Sequence, residues 1–177
     1  SLVAYAIIFR SLFANDGLVN YVLVNLGILD KPYNFLTQPF AAKMVIILAL
    51  LWRWTGYNMV FFLSGLQNIE YSVYEAAKID GASAIQTFFK ITVPLLKPTI
   101  LLTAIMSTNG TLQLFDESIN LTDGGPANAS ISMSHYIYNL CFKYVPNFGY
   151  AAALSFFILL LVAVLAFIQM RVGDKRD

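Results

Sequence analysis

The sequence predicts an all-α, polytopic membrane protein with about three full spans plus part of one. Three observations carry that prediction. The chain has 177 residues, 58% hydrophobic and 12% charged, whereas a soluble domain carries about a quarter charged residues. Stretches 43–66, 99–121 and 150–170 are each long and apolar enough for the ~30 Å hydrocarbon core of a bilayer. Lysine and arginine gather in alternate connecting segments, as the positive-inside rule expects of a multi-pass chain.

The start, 1–13, would form only about 20 Å of helix, short for a span. With no methionine or basic signal region ahead of it, the chain reads as cut inside or near the end of an upstream span. The next stretch, 14–42, is rich in Asn, Gly, Asp and Pro, and its Val/Leu-rich middle, 18–29, reads as an interfacial helix. After Lys43 at its edge, stretch 43–66 is apolar apart from Arg53 and Asn58. Stretch 99–121 begins very apolar and turns polar in its second half. "TDGGP", Thr122 to Pro126, has the glycine and proline content of a tight turn. Segment 132–144, with His135 and Cys141, reads as a short structural helix. Stretch 150–170 has no charge at all.

Charge fixes the expected orientation. Loop 67–98 holds Lys78, Lys90 and Lys97, and the tail holds Arg171, Lys175 and Arg176. The loop and the C-terminus are therefore expected on the cytoplasmic side, with 14–42 and 122–149 outside. A net charge of +1 leaves no nucleic-acid footprint. The lone Cys141 excludes an internal disulfide and a CxxC or zinc pattern, and the lone His135 leaves no metal cluster and points to no Ser/His/Asp arrangement. Nothing resembles GxxxxGK[ST], so the chain is expected to be no enzyme and to draw any energy from a partner.

Loop 67–98 is more structured than a connection requires. Ser72 and Glu75 have the S-x-x-E spacing of a capping box, and Ser83 and Gln86 that of S-x-x-Q. Gly81 between them suits the left-handed position that ends a helix. Pro94 and Pro98 are expected to break the second helix at about Thr92 and to open the next span. Two short helices joined at a tight turn result, with Ile79, Phe88, Phe89 and Ile91 requiring cover. A linker lying on the membrane surface accounts for the lysines; a protein partner accounts also for the caps and the turn.

The stretch "EAAKIDGASAIQTFFKITVPLLKP" closely resembles the EAA loop of ABC importer permeases, through Glu75, Ala76, Ala77, Asp80, Gly81, Ala82, Phe89, Ile91, Pro94, Leu95 and Leu96. "LQLFDESINLTDGGPANAS" is similar to the F-D…L-T-x-G-G-P segment of sugar-importer permeases. "GYNMVFFLSGLQNIEYSVYEAA" resembles the family's approach to the loop. Together these motifs cover essentially the whole chain and point to the maltose/lactose-type carbohydrate uptake family. Its members have six or more spans, so the chain resembles their C-terminal half to two-thirds, and 1–177 would be one N-terminally truncated domain.

The resemblance implies a bacterial inner-membrane permease subunit. Its partners would be an ATPase dimer, a second permease, an extracytoplasmic solute-binding protein, a carbohydrate and membrane lipid. It would bind no cofactor; ATP would be used by the ATPase. Coupling to the ATPase would run through Glu75, Ala76, Ala77, Asp80, Gly81, Ala82, Ile91 and Pro94. Small Ala76, Ala77 and Ala82 would admit a close surface, and Glu75 would either cap its helix only or also pair with a cation of the ATPase.

Trp52, Thr55, Gly56 and Met59 share one helical face, as do Ser107, Gly110, Thr111 and Leu114. By the resemblance, Trp52, Thr55, Gly56, Ser107, Gly110, Thr111 and Leu114 fall where a maltose-type permease contacts sugar. An indole stacks on C–H-rich sugar faces while hydroxyls seek hydrogen bonds; the alternative is that small residues let helices pack closely. Arg53 is expected to snorkel or pair with a second subunit rather than touch substrate. Asp116 and Glu117 are expected near the hydrated outer end of their span, to contact a substrate-binding protein or line the mouth, or equally to form a solvated rim. A non-sugar solute such as a glycerol phosphate remains an alternative cargo. An ion-driven secondary transporter would need acidic relay residues deep in the spans, where the sequence offers Arg53, Asn58, Asn109 and Gln113.

Overall fold

The computed structural model describes residues 2–173, and every regular element among them is helical. In chain order these are α1 (Leu2–Leu12), α2 (Leu18–Asn25), α3 (Pro39–Gln67), α4 (Tyr71–Ile79) and α5 (Ala84–Thr87). There follow α6 (Val93–Leu95), α7 (Lys97–Leu112), α8 (Asp116–Thr122), α9 (Met133–Tyr138) and α10 (Phe148–Gly173). Lys175 and Arg176, counted in the charge reading, lie outside the described residues.

Among the described residues, α3 and α10 are long and apolar enough to cross a membrane. Their 29 and 26 residues correspond to about 44 and 39 Å of helix. The segments Ala84–Leu95 and Lys97–Leu112 would qualify together, bent by 65° at their junction. Contacts divide the chain into two units, Ser1–Arg53 with Gly110–Leu161, and Trp54–Asn109 with Val162–Asp177.

In the first unit, α1 meets α3 and α8 around a small core of Tyr5, Ala6, Ile46, Ala49 and Leu121. The buried Ala42, Val45, Ile46 and Ala49 of α3 recur at i, i+3, i+4 and i+7, the spacing of one helical face. Ala6, Ala42 and Ala49 have no exposed surface, and such small residues let helices approach closely. Behind α2, Asn20 is buried because its amide is fully used: Nδ2 donates to the Ala14 and Tyr33 carbonyls, and Oδ1 accepts from the Tyr33 amide at 2.8 Å.

The polar second half of 99–121 is not one continuous helix. The chain leaves helical geometry after Leu112 and restarts at Asp116 with Phe115 as N-cap. Asp116 and Glu117 occupy the first turn of α8, where carboxylates complement the helix dipole. The "TDGGP" stretch is a tight turn with φ above zero at Asp123, Gly124 and Gly125. The helix that follows has Ser132 as its N-cap, accepting from the His135 amide.

In the second unit the last turns of α3 run into α4, then into a helical segment from Ala84 to Leu95. Gly65 makes a close approach possible there: a Cβ on it would stand 2.8 Å from Leu96 Cδ2 and 2.9 Å from Thr99 Oγ1.

Candidate functional site

Residues 71–95 form two short helical segments about a hydrogen-bonded corner. Helix α4 ends in a Schellman arrangement: the Ala82 amide donates to the Ala77 carbonyl at 2.9 Å and the Gly81 amide to Lys78 at 3.1 Å. Gly81 sits at φ +76 with open space where a Cβ would be, so the glycine answers a backbone need, not a packing one. Two residues on, the Ser83 and Gln86 capping box is complete, with Ser83 N–H donating to Gln86 Oε1 at 2.8 Å and Gln86 N–H to Ser83 Oγ at 3.3 Å.

The first expected box is absent. Helix α4 begins at Tyr71 with Glu70 as its N-cap, and Ser72 Oγ donates to Glu70 Oε2 instead. Ser72 is thus already inside the helix, two residues past the capping position, and Glu75 is exposed with no capping role.

The second helix also differs from expectation at Pro94. It does not stop at Thr92; a π-helical turn, Phe88–Thr92, leads directly into α6 with Pro94 in its first turn. The wider turn sends the Val93 amide back to the Phe88 carbonyl, which lets a residue without an N–H follow. The break falls at Leu96, where the chain bends into α7. Tyr74 OH and Thr92 Oγ1, 3.2 Å apart, tie the two helices together.

Of the loop residues singled out by sequence, Glu75, Ala76, Asp80, Gly81 and Pro94 are exposed, and Ala82 and Ile91 are partly so. Ala77 is buried at 6%; its small side chain seats α4 on its own unit rather than admitting an outside surface. Around them Ile79 is 85%, Ile85 72% and Phe89 65% exposed.

The candidate path residues fall into both units. In the second, Thr55 and Gly56 are exposed on α3. Ser107 of α7 is partly buried, and its hydroxyl exchanges hydrogen bonds with the Asn58 side chain at 3.2 and 3.4 Å. Gln169 Nε2 of α10 donates to Thr108 Oγ1 at 2.8 Å. In the first unit Gly110 and Thr111 lie at the end of α7, and Leu114 packs against the core around Tyr5. Trp52 is 63% exposed, with the Tyr5 ring stacked on its indole at 6.2 Å and 22° and Phe9 at 5.8 Å.

Where the sequence predicts snorkelling or pairing with a second subunit, Arg53 has a counter-charge within its own unit of the chain. It pairs with Glu117, and Tyr5 OH donates to the same carboxylate oxygen. Glu117 is no hydrated rim residue, since its side chain is 1% exposed. A buried carboxylate requires compensation of this kind. Sequence reasoning missed Tyr5 and misplaced Glu117; the signal was Arg53 itself, a cation in an apolar stretch that calls for a counter-charge. Near the turn after α8, His135 is buried, with Nδ1 at 2.9 Å from Ser118 Oγ and Nε2 3.8 Å from Asp123 Oδ1. Burial lowers its pKa; Asp123 acts in the opposite direction, and Lys143, 3.0 Å from Asp123, reinforces the lowering.

Residues 2–176 match the family described as "Binding-protein-dependent transport system inner membrane component". The chain belongs to this family. A lactose transport system permease protein of Rhizobium radiobacter, LacF, is 55% identical over 178 residues, which cover 99% of this chain and 60% of that protein. The trehalose/maltose transport system permease protein MalF of Thermococcus litoralis is 37% identical, over 90% of this chain and 53% of its own. Among solved structures, a bacterial ABC transporter involved in the import of the acidic polysaccharide alginate matches with TM-score 0.86 and 25% identity, covering 99% of this chain and 61% of that one. A bacterial alginate ABC transporter in complex with an alginate pentasaccharide-bound periplasmic protein matches with TM-score 0.75 and 26% identity, over 98% of this chain and 59% of that one. The all-helical fold is therefore that of an inner-membrane transport component, and the chain spans between 53% and 61% of the length of these proteins.

Proposed function

We propose that the chain forms the greater part of the permease subunit of an ATP-binding cassette importer for a sugar or oligosaccharide, working with a second permease, an ATPase dimer and an extracytoplasmic binding protein. The observation that carries this is the 55% identity to a lactose transport permease along 99% of the chain. Spans of about 43–66, 99–121 and 150–170 cross the bacterial inner membrane, and 67–98 is the cytoplasmic coupling loop. The C-terminus lies on the cytoplasmic side.

The geometry of the loop supports its coupling role. Gly81, the Ser83–Gln86 box and the Tyr74–Thr92 bond make residues 71–95 a fixed corner able to transmit a push without bending. Exposed Ile79, Ile85 and Phe89 suit the floor of a protein cleft better than open water. Glu75, Ala76, Asp80, Gly81, Ala82, Ile91 and Pro94 belong to that docking surface, and Ala77 supports it from beneath. Trp52, Thr55, Gly56, Ser107, Gly110, Thr111 and Leu114 are assigned to the solute path. An ion-driven mechanism finds no support in the one buried carboxylate described, because Glu117 is already neutralised by Arg53.

The test is ATP-dependent uptake of [14C]lactose by the full-length permease reconstituted with its partners. Uptake is expected with ATP and binding protein together and not with an ion gradient alone. Gly81→Pro forbids the positive φ and deletes the Gly81–Lys78 hydrogen bond. It is expected to abolish uptake and ATPase retention while the subunit still inserts; full activity of this variant would overturn the coupling assignment.

A further inference from the structure

The indole of Trp52 is held from behind by a buried polar clamp. Tyr5 of α1 stacks on it, and the hydroxyl of that tyrosine donates to Glu117 Oε1 of α8. Arg53, the residue following Trp52 on α3, donates to the same oxygen. One carboxylate thus grips both the ring that covers Trp52 and the side chain next to it in sequence. Phe9 also lies against the indole, tilted, at 5.8 Å and 60°.

We infer that Glu117 and Tyr5 are positioning residues of the solute path, which set the plane of the exposed Trp52 indole. This rests on the assignment of Trp52 to that path. The arrangement is more than core packing requires. The clamp adjoins Ala6, Ile46, Ala49 and Leu121, where apolar side chains of similar volume would hold helices together at no desolvation cost. A phenylalanine at position 5 would stack as well as tyrosine. It could not be fixed about its own axis by a hydrogen bond to a buried charge. Meanwhile Trp52 keeps 63% of its surface open, so the element being held is one that faces outward. Flat stacking on a sugar ring depends on the angle of the indole, and a clamp on its covering ring and its neighbour controls that angle.

The experiment uses the complete transporter in proteoliposomes, with ATP and saturating lactose-loaded binding protein. [14C]lactose delivered per ATP hydrolysed is measured for Trp52→Ala, Tyr5→Phe and Glu117→Gln, and for each of the last two combined with Trp52→Ala. A general folding defect lowers uptake and ATPase activity together and leaves this ratio unchanged. Trp52→Ala is expected to lower the ratio about tenfold, and Glu117→Gln and Tyr5→Phe by roughly three- to tenfold, the scale of one lost hydrogen bond of ordinary net strength. In the Trp52→Ala background, each is expected to lower it by less than its factor alone, because residues acting through one another are not additive. If Trp52→Ala leaves the ratio intact, the path assignment itself fails and the inference falls with it. If Trp52→Ala lowers it but the other two leave it unchanged, or lower it by their full factor on top of Trp52→Ala, the path stands and the positioning role is overturned. Should Glu117→Gln not assemble, Tyr5→Phe, which keeps the ring, decides alone.

Discussion

At the scale of single residues, the most informative side chains are buried polar ones whose partners lie far away in sequence. Glu117 meets Arg53 and Tyr5 across 64 and 112 positions, so nothing local in "FDESINL" marks it as interior. His135 is a second case. It is buried beside Ser118, and its pKa is lowered by that burial. A histidine lowered on folding binds its proton more readily in the unfolded chain. Its contribution to stability is therefore complete above the ordinary histidine range, near 6.5, and is lost as pH falls below it. The unfolding temperature of the detergent-solubilised protein is expected to drop between pH 7.5 and 5.5. In His135→Gln that particular drop should shrink, although the variant starts lower at pH 7.5. An equal pH slope in both would show that His135 does not titrate on unfolding.

At the scale of elements, legibility tracked how local the cause was. The Gly81 turn and the Ser83–Gln86 box could be read because a backbone angle and a three-residue spacing decide them. Ser72 and Glu75 have the same spacing, yet the helix starts at Tyr71 and takes Glu70 as its cap. The pattern marks a possible start, and the preceding residues choose among the possibilities. The π-helical turn before Pro94 was invisible for a similar reason, since proline forbids a hydrogen bond but does not say how the chain will avoid needing it. A paired substitution separates the two boxes. Ser83→Ala removes an acceptor that the Gln86 amide uses and should cost about 1 kcal/mol. Hydrogen exchange at the Gln86 amide is expected to speed up accordingly. Ser72→Ala removes no cap and should stay within about 0.5 kcal/mol of the parent. Equal effects at the two sites would contradict the observed start of α4.

At the scale of the whole molecule, the open point is how the bent segment meets the bilayer. Helix α7 has 16 residues, about 24 Å, which falls short of a ~30 Å core. Ala84–Leu95 would add the missing length, but it leaves α7 at 65°. A bent pair of this kind either completes a crossing or dips in and returns. The alternatives differ on one measurable point, the side of the membrane occupied by the turn at Asp123 relative to Glu75. The positive-inside rule favours a crossing, because Lys78, Lys90 and Lys97 all precede α7's apolar stretch while Lys143 alone follows the turn before α10. Replacing Cys141 by serine, together with any cysteine of the full-length permease outside these 177 residues, allows the question to be asked with single probes. In intact cells a membrane-impermeant maleimide is expected to label Asp123→Cys, whose parent side chain is 63% exposed, and to spare Glu75→Cys. Glu75→Cys should become reactive once the cytoplasmic face is opened. Labelling of both from the same side would make the bent pair a re-entrant hairpin. Loop 67–98 and the 122–149 segment would then share one face, and the crossing by 99–121 would have to be given up.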